Sequence, residues 1–345
     1  MQGRRSTPLT RNRRIHAALL IPALALAVLA MAACGVTPQT TLEPTTEAAR
    51  TARDLLMFVF WAMVVTFVLV EGALLYCLIR FRRRSGDGIP AQTHGNTPLE
   101  IGWTIAPAIL VVVIVVLTVP AIFSNARAAS PDALQVRAIG HQWWFEFQYP
   151  DLGVVTANEL HLPVDRDVEI QLESNDVLHS FWVPSLRGKL DMVPGRDNKF
   201  TIKPEVTGTY PGQCAEFCGT AHALMKFYVV VETQAEFDAW VQNELADSVA
   251  PASALAREGE ANLTLGGCVA CHTIRGTDLE GKLGPDLTHM GSRKHIAAGL
   301  LENTPENMRR WLSDPQDIKP GNTMVIPELT TEQLDALVAY LEGLK

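Results

Sequence analysis

Two long apolar segments near the start of the chain constrain its fold more than any other feature. Residues 55–79 are almost wholly apolar, interrupted only by Glu71, and residues 101–123 contain no charged residue. A bilayer core about 30 Å thick is crossed by about 20 helical residues, so each segment is long enough to span it. The sequence predicts a transmembrane hairpin over residues 50–125, with helices at about 55–79 and 101–123.

The connection between these segments is basic. It opens with Arg80, Arg82, Arg83 and Arg84, and cytoplasmic loops of membrane proteins carry an excess of arginine and lysine. We therefore expect the hairpin loop in the cytoplasm. Both outer ends of the hairpin, and all of the chain after about residue 125, are then expected on the other side of the membrane.

The segment before the hairpin has the features of an export signal. Five arginines precede the apolar stretch "AALLIPALALAVLAMAAC". A basic region, an apolar region and small residues at a cleavage site are typical of a secretory signal peptide, predicted here for residues 1–33. The ending "MAACG" is similar to a bacterial lipobox and favours lipid attachment at Cys34. Ordinary cleavage nearby and an uncleaved anchor are the alternatives.

Charge is distributed unevenly along the chain. Residues 1–125 contain 11 Lys and Arg and 6 Asp and Glu, which leaves 18 basic and 31 acidic residues in the remainder. An acidic outer part does not favour nucleic-acid binding, which requires a basic surface. It can attract a basic protein partner by long-range steering, although most acidic surfaces only interact with solvent.

Residues 126–232 change to a strand-like pattern. Short β-branched or aromatic runs such as "ALQVRAIG", "WWFEFQY", "DVEIQLES" and "KFYVVVE" are separated by Pro, Gly, Asn and Asp. This pattern predicts an all-β sandwich or barrel. A rigid β scaffold can hold a ligand-bearing loop at one end.

One loop of this region gathers soft metal ligands. Cys214, Cys218, His222 and Met225 lie within the stretch "CAEFCGTAHALM". Thiolate together with thioether favours copper, whereas structural zinc takes four Cys or His ligands. A single blue copper needs one cysteine, so two cysteines suggest that both sulfurs bridge a pair of copper ions.

Such a centre requires a second imidazole from another strand. The upstream candidates are His141, His161 and His179. His141 and His161 fall inside strand-like runs, which favours structural or surface roles. His179 is expected in a turn after a strand, beside aromatic residues that exclude water, and is therefore the preferred ligand.

A third region begins after a helix and a Pro-broken linker at residues 233–255. Within residues 256–345 the stretch "CVACH" fits Cys-x-x-Cys-His, the attachment signature of c-type haem. Cys268 and Cys271 would form thioethers with the porphyrin, and His272 would bind the iron. A thioredoxin-like Cys-x-x-Cys is the main alternative, but the βαβ pattern expected around it is missing from the sequence.

Several motifs together resemble one protein family. "CAEFCGTAHALM" with the upstream "LHSFWVP", the aromatic "GHQWWFEF" and the helix start "EIGWTIAPAIL" are similar to subunit II of haem–copper cytochrome c oxidases. This resemblance covers about residues 50–232 and implies that the β region is a cupredoxin-like sandwich. Its aromatic motif reads Trp-Trp-Phe where Trp-Tyr-Trp is frequent.

The resemblance implies a binuclear CuA centre and its surroundings. Cys214 and Cys218 would bridge both coppers, and Glu216 would supply a backbone carbonyl to copper and a side chain to a magnesium ion shared with subunit I. The remaining implied ligands are His179, His222 and Met225. Two further residues match the family: Trp143 as the tryptophan that receives electrons, and Glu100 as the acidic residue at a proton-channel mouth. The alternative for Glu100 is a carboxylate stabilised by the helix dipole.

The last region resembles all-α class I cytochromes c, partly through "GPDLT" at residues 284–288. These proteins carry the axial methionine in a loop before the last helix, which implies Met324. Met290 lies in a polar loop nearer His272, and Met308 lies on an amphipathic helix and is expected in the core. A Met/His pair would raise the haem potential.

These expectations describe a multi-domain protein of a bacterial plasma membrane. It would be the subunit through which electrons enter a proton-pumping terminal oxidase, passing from cytochrome c to the fused haem, then CuA, then the haem–copper centre of subunit I. Its expected partners are subunit I, subunit III, a cytochrome c donor and membrane lipid, with no nucleic acid. A nitric oxide reductase-type complex and a membrane-anchored carrier without an enzyme partner are the alternatives.

Overall fold

The computed structural model describes residues 39–83, 88–89, 91–92 and 94–345. The predicted signal peptide and Cys34 lie outside these residues, as does Arg84. Two long helices come first in the described chain, α1 (Glu47–Arg80) and α2 (Thr97–Asn125). Both are long and apolar enough to cross a membrane. They begin earlier than the predicted residues 55 and 101 because polar side chains cap each helix before its apolar run begins.

The caps are local and follow from the sequence. The Thr46 side chain accepts a hydrogen bond from Ala49 N, and the Asn96 side chain accepts one from Leu99 N. Short polar side chains at this position satisfy backbone N–H groups that have no partner within the helix. The apolar segments therefore determine which part of each helix spans the membrane, and the capping residues determine where each helix starts.

A β sandwich follows the hairpin, as predicted. The strands are β1 (Leu134–His141), β2 (Trp144–Tyr149), β3 (Val154–Ala157), β4 (Glu159–Pro163), β5 (Val168–Ser174), β6 (His179–Val183), β7 (Arg187–Met192), β8 (Asn198–Ile202), β9 (Gly208–Cys214) and β10 (Lys226–Glu232). Among the described residues these strands form two five-stranded sheets, ordered β3-β2-β1-β5-β8 and β4-β10-β9-β6-β7.

The core of the sandwich is aromatic. Burial alternates residue by residue along β1 and β2, because successive strand side chains point to opposite faces. Phe145 of one sheet packs on Phe227 of the other at 4.6 Å between ring centroids, and Phe227 packs on Phe181 at 4.8 Å. Phe181 is also the pairing partner of Cys214 at the end of β9, so the core extends to the residue where the cysteine loop begins.

The outer end of the hairpin is fastened to the sandwich. Thr45 N donates to Ser185 O at 2.8 Å, and the Arg50 guanidinium makes two hydrogen bonds of 2.7 Å to the Glu205 carboxylate. A two-pronged arginine–carboxylate pair adds geometric specificity to its energy. The β sandwich therefore has a defined orientation on the membrane helices.

The last third of the chain is mainly helical. Its helices are α3 (Gln234–Leu245), α4 (Ala254–Leu265), α5 (Pro305–Ser313), α6 (Pro315–Ile318) and α7 (Thr331–Gly343), with two short strand pairs among them. The helices α4 and α7 cross closely at Gly259. A Cβ atom at that position would lie 1.9 Å from the carbonyl oxygen of Ala336, so only glycine permits this approach.

Candidate metal centres

The cysteine loop is built by the turn between two paired strands. Cys214 ends β9, and Met225 immediately precedes β10. Cys214 N donates to Met225 O at 3.0 Å, which continues the antiparallel ladder into the loop. The short 3₁₀ helix His222–Leu224 then turns His222 back toward the cysteines.

The soft ligand atoms of this loop converge. The two cysteine Sγ atoms lie 3.8 Å apart, Cys218 Sγ lies 3.5 Å from His222 Nδ1, and Cys218 Sγ lies 3.9 Å from Met225 Sδ. His179 Nδ1 lies 3.9 Å from Cys214 Sγ. His179 is the first residue of β6 and not part of the preceding turn, which corrects the sequence-based placement.

Strand pairing brings His179 to the loop. Strands β6 and β9 are antiparallel neighbours, with Phe181 opposite Cys214. The other two candidate histidines contact residues outside the cysteine loop. His141 stacks on Trp144, and His161 Nδ1 lies 2.9 Å from a carboxylate oxygen of Glu232. The structure therefore brings one of the three candidate histidines to the cysteines.

Four of the five side chains in the cluster are shielded from water, and His222 is half-buried. His179 and Met225 are fully buried, and Cys214 and Cys218 expose 4% and 3% of their surface. The backbone oxygen of Glu216 lies 3.2 Å from Cys214 Sγ. Two thiol sulfurs, two imidazole nitrogens, a thioether and a carbonyl are thus available in this cluster, a donor set that fits copper in preference to a hard cation.

Hydrogen bonding prepares the cluster for a metal ion. A hydrogen bond from the Cys218 thiol lowers the pKa of Cys214 far below its usual range, and the same interaction raises the pKa of Cys218. Burial lowers the pKa of His179, but its partners Cys214 and Asp176 outweigh burial and raise it. Metals bind thiolates, so this network favours loss of the first thiol proton.

Asp176 orients the His179 ring. Its Oδ1 lies 2.7 Å from His179 Nε2, which leaves Nδ1 facing Cys214. Histidine ligands commonly use their second nitrogen in this way, which fixes the ring. Asp176 was not among the residues predicted from the sequence, although its position three residues before His179 was a usable signal.

The predicted Glu216 and Trp143 have different surroundings. The Glu216 carboxylate points outward, 40% exposed, and pairs with Lys189 Nζ at 2.9 Å. Trp143 is buried, and its indole Nε1 donates to Cys218 O at 3.1 Å. The tryptophan therefore contacts the backbone of a cysteine in the cluster.

Glu100 lies at the start of α2, remote from this cluster in the chain. Its Oε1 accepts a hydrogen bond from Asn96 N at 3.1 Å. The carboxylate thus caps the positive end of the helix, the alternative that the sequence left open. This contact is compatible with a second role, because Glu100 is exposed.

The Cys-x-x-Cys-His motif forms a compact turn. The 3₁₀ helix Cys268–Ala270 carries the first cysteine, and His272 follows with 9% of its surface exposed. His272 Nδ1 lies 2.7 Å from Pro285 O, so Nε2 is the nitrogen left for an iron. A Cβ atom at Gly284 would lie 2.6 Å from His272 Cε1, so glycine makes room for the ring.

The environment of His272 favours its neutral form. Burial is the largest effect and lowers its pKa. Neutral imidazole is the form that binds metals. The residues of the turn, with two reduced cysteines at Cys268 and Cys271, fit covalent haem attachment.

The three candidate methionines differ in their surroundings. Met308 is 1% exposed within the core, and Met290 is 9% exposed, with Arg293 Nη1 3.8 Å from its sulfur. Met324 is only half-buried and packs at the edge of the same core. Its backbone N donates to Asn322 Oδ1 at 2.8 Å. The structure places Met324 in the ordered loop before α7, while the other two are packing residues.

Comparisons with known proteins cover most of the chain. Family models match "Cytochrome C oxidase subunit II, transmembrane domain" at residues 33–121 and "Cytochrome C oxidase subunit II, periplasmic domain" at residues 152–233. A third model, "Cytochrome c", matches residues 256–345. The three matches follow the order of helices, β sandwich and helical domain.

Individual relatives match over nearly their whole length. The chain is 37% identical to cytochrome c oxidase subunit 2 of Alkalihalophilus pseudofirmus, covering 89% of this chain and 91% of the relative. It is 37% identical to cytochrome c oxidase subunit 2 of Bacillus subtilis, covering 94% and 97%. A crystal structure of the periplasmic domain of cytochrome oxidase subunit II of Bradyrhizobium japonicum is 31% identical, covers 34% of this chain and 95% of that one, and has a TM-score of 0.32.

Proposed function

Since the chain belongs to the cytochrome c oxidase subunit II family and carries a C-terminal cytochrome c domain, we propose that electrons enter a respiratory terminal oxidase through it. It is a membrane-anchored oxidase subunit with its β sandwich on the outer side. The observation that carries the proposal is the buried convergence of His179, Cys214 and Cys218, joined by His222 and Met225.

The β sandwich is proposed to hold a CuA centre. Cys214 and Cys218 would bridge the two ions, His179 and His222 would each bind one, and Met225 and the Glu216 carbonyl would complete the set. When bound there, copper would supply one-electron chemistry, and thiolates shared between two ions would keep the ligands in place as the charge changes. The chain's own contribution is rigidity: the aromatic core and Asp176 hold the ligands in place, and burial excludes water.

The cytochrome c domain is proposed to hold covalent haem c. Cys268 and Cys271 would attach the porphyrin, and His272 and Met324 would bind the iron. A haem supplies reversible one-electron chemistry, and methionine as second axial ligand raises its potential. Pro285 fixes the His272 ring, and the loop hydrogen bond to Asn322 fixes the Met324 backbone.

The proposed order of transfer follows the domains. A c-type cytochrome or similar donor delivers electrons to the cytochrome c domain, which passes them to the β sandwich and on to subunit I in a bacterial plasma membrane. Subunit I reduces oxygen, and subunit III would complete the complex. The excess of acidic residues outside the membrane suits a basic donor.

Two surface carboxylates are assigned further roles in the complex. Glu216 would bind magnesium at the interface with subunit I, which requires its carboxylate to leave Lys189. Glu100 would stand at the mouth of a proton channel in subunit I, in addition to capping α2. Both assignments rest on the position of each residue in a family motif.

Oxygen consumption by the purified complex tests the proposed function. With a reduced c-type cytochrome as donor, the complex should consume oxygen and leave nitric oxide untouched. Consumption of nitric oxide in its place would assign the chain to a reductase. Extraction of the chain only as a free monomer would identify it as a carrier without an enzyme partner.

Replacing Met324 by alanine should remove the axial sulfur from the haem. The methionine–iron absorption band should weaken or disappear, and the haem potential should fall, because a thioether ligand favours the reduced iron. Visible absorption and a redox titration measure both effects. Met290→Leu, a change of similar volume in the core, is the matched control and should keep the band. Loss of the band in Met290→Leu alone would move the role to Met290.

A further inference from the structure

The cytochrome c domain lies against the β sandwich at Trp143. The Lys319 side chain reaches from the loop after α6 and its Nζ donates to the backbone oxygen of Trp143. Beside it, a Cβ atom at Gly321 would lie 3.1 Å from Thr220 Cβ, and Thr220 belongs to the cysteine loop. Resting on the function proposed above, we propose that Lys319 is a positioning residue that aligns the Met324 loop with Trp143 for electron transfer between the two domains.

A continuous series of contacts joins the two proposed centres. Met324 N donates to Asn322 Oδ1 at 2.8 Å, and Asn322 Nδ2 donates to Lys319 O at 2.7 Å. Lys319 then reaches Trp143, whose indole Nε1 donates to Cys218 O at 3.1 Å. Within this series, the hydrogen bond from Lys319 to Trp143 is the contact that joins the cytochrome c domain to the β sandwich.

The burial of Lys319 indicates that its hydrogen bond to Trp143 is specific. Only 4% of its surface is exposed, and lysine is almost never fully buried unless it has a partner. Burial lowers the pKa of Lys319 to about 7. Burying this amine between the two domains therefore costs free energy, and the contacts formed when the domains pack together offset that cost. An apolar residue would fill the same space without this cost, but it would not hold the Trp143 carbonyl.

Separate contacts hold the rest of the domain interface. The buried Glu159 carboxylate accepts hydrogen bonds from Lys294 N at 2.9 Å and His295 N at 2.8 Å. The His295 ring stacks on Tyr228 with 3.7 Å between centroids. Loss of the Lys319 contact should therefore loosen the end of the interface at Trp143 and leave the domains associated.

The transfer concerned is a single electron. One haem iron is oxidised for each copper pair reduced, and no bond forms or breaks. Because the step changes no covalent structure, alignment of the two domains is what Lys319 can affect. The residue would act on the rate of this step and not on reduction of the haem by an external donor.

Lys319→Met in the cyanide-inhibited complex tests the proposal. Stopped-flow mixing with a reduced donor follows haem reduction and then electron arrival at copper in the near infrared. We expect the second step to slow by about tenfold, the effect of losing one buried hydrogen bond on the ratio of aligned to misaligned docking. The rate of haem reduction by the donor and both absorption spectra should stay unchanged.

Hydrogen–deuterium exchange gives a readout that needs no electron transfer. Lys319→Met should raise deuterium uptake in residues 138–146 and 316–326, and leave uptake around Glu159 unchanged. Lys319→Gln, which retains a shorter donor, should show a smaller effect in both measurements. The control is Lys282→Met, an exposed lysine of the same domain, which should behave as the wild type.

The outcomes separate this proposal from the proposed function. An electron-transfer rate in Lys319→Met within about twofold of the wild type overturns the role of Lys319, and so does an equal loss in Lys282→Met. If the proposed function is itself wrong, the wild-type complex shows no electron transfer from haem to copper. That result is visible before any variant is compared.

Discussion

A Cys218→Ser variant is expected to lose its near-infrared copper absorption completely while its haem c spectrum persists. Cys218 Sγ is central to the cluster, within 3.5–3.9 Å of ligand atoms of Cys214, His222 and Met225. A serine hydroxyl stays protonated at neutral pH and is a hard donor, so it cannot replace a bridging thiolate. The haem turn lies in another domain and should be unaffected.

The functional loss should be severe. Changing a residue that only supports a metal ligand commonly costs 10–100-fold, so loss of a bridging ligand should reduce oxygen consumption by at least about 100-fold. Elemental analysis, the near-infrared spectrum and oxygen uptake measure the effect. The matched control is Cys77→Ser, at an exposed cysteine of α1, which should retain copper and activity. Survival of the copper signal in Cys218→Ser would reject the bridging assignment.

A Gly259→Ala variant is expected to destabilise the cytochrome c domain strongly. The added Cβ would lie 1.9 Å from the backbone oxygen of Ala336, and a backbone atom cannot move aside without shifting the whole of α7. Overpacking typically costs about 1–3 kcal/mol and occasionally more, and because this clash is with a backbone atom we expect a cost of about 3 kcal/mol. For a domain of this size, that corresponds to a fall in Tm of about 12 °C or more.

Thermal unfolding followed at the haem absorption measures the effect of Gly259→Ala, and copper content serves as an internal reference for the β sandwich. Gly343→Ala is the matched control, since it also places a methyl group on a helix but meets nothing within 4 Å. Its Tm should stay within a few degrees of the wild type. Equal Tm values for the two variants would contradict the close α4–α7 crossing.

Some of the fold could be predicted because its cause is local. Helix-length apolar runs predicted α1 and α2, and alternating β-branched and aromatic runs predicted the β sandwich. The exact helix ends could not be predicted from apolar runs alone, since Thr46 and Asn96 cap the helices outside those runs. The two short strand pairs of the cytochrome c domain, one just after His272 and one beginning at His295, also had no clear signal in the sequence, because two-residue strands form only where the surrounding chain holds them.

The candidate copper site was also predictable from the sequence only in part. The loop from Cys214 to Met225 carries most of the proposed ligands within one turn, so their spacing already indicated a soft metal. The choice among His141, His161 and His179 rested on weaker signs, and the geometry at β6 and β9 is what brings His179 to Cys214. Asp176 could have been found from its spacing to His179.

The sequence by itself determined the membrane segments, the succession of domains and the two local ligand motifs, because hydrophobic length and ligand spacing are properties of neighbouring residues. Only the tertiary structure decided which histidine reaches Cys214 across 35 residues. The tertiary structure also decided that Lys319 contacts Trp143, which is 176 residues away in the sequence. Such contacts depend on which strands pair and which domain faces pack together, and the sequence carries no local pattern for either.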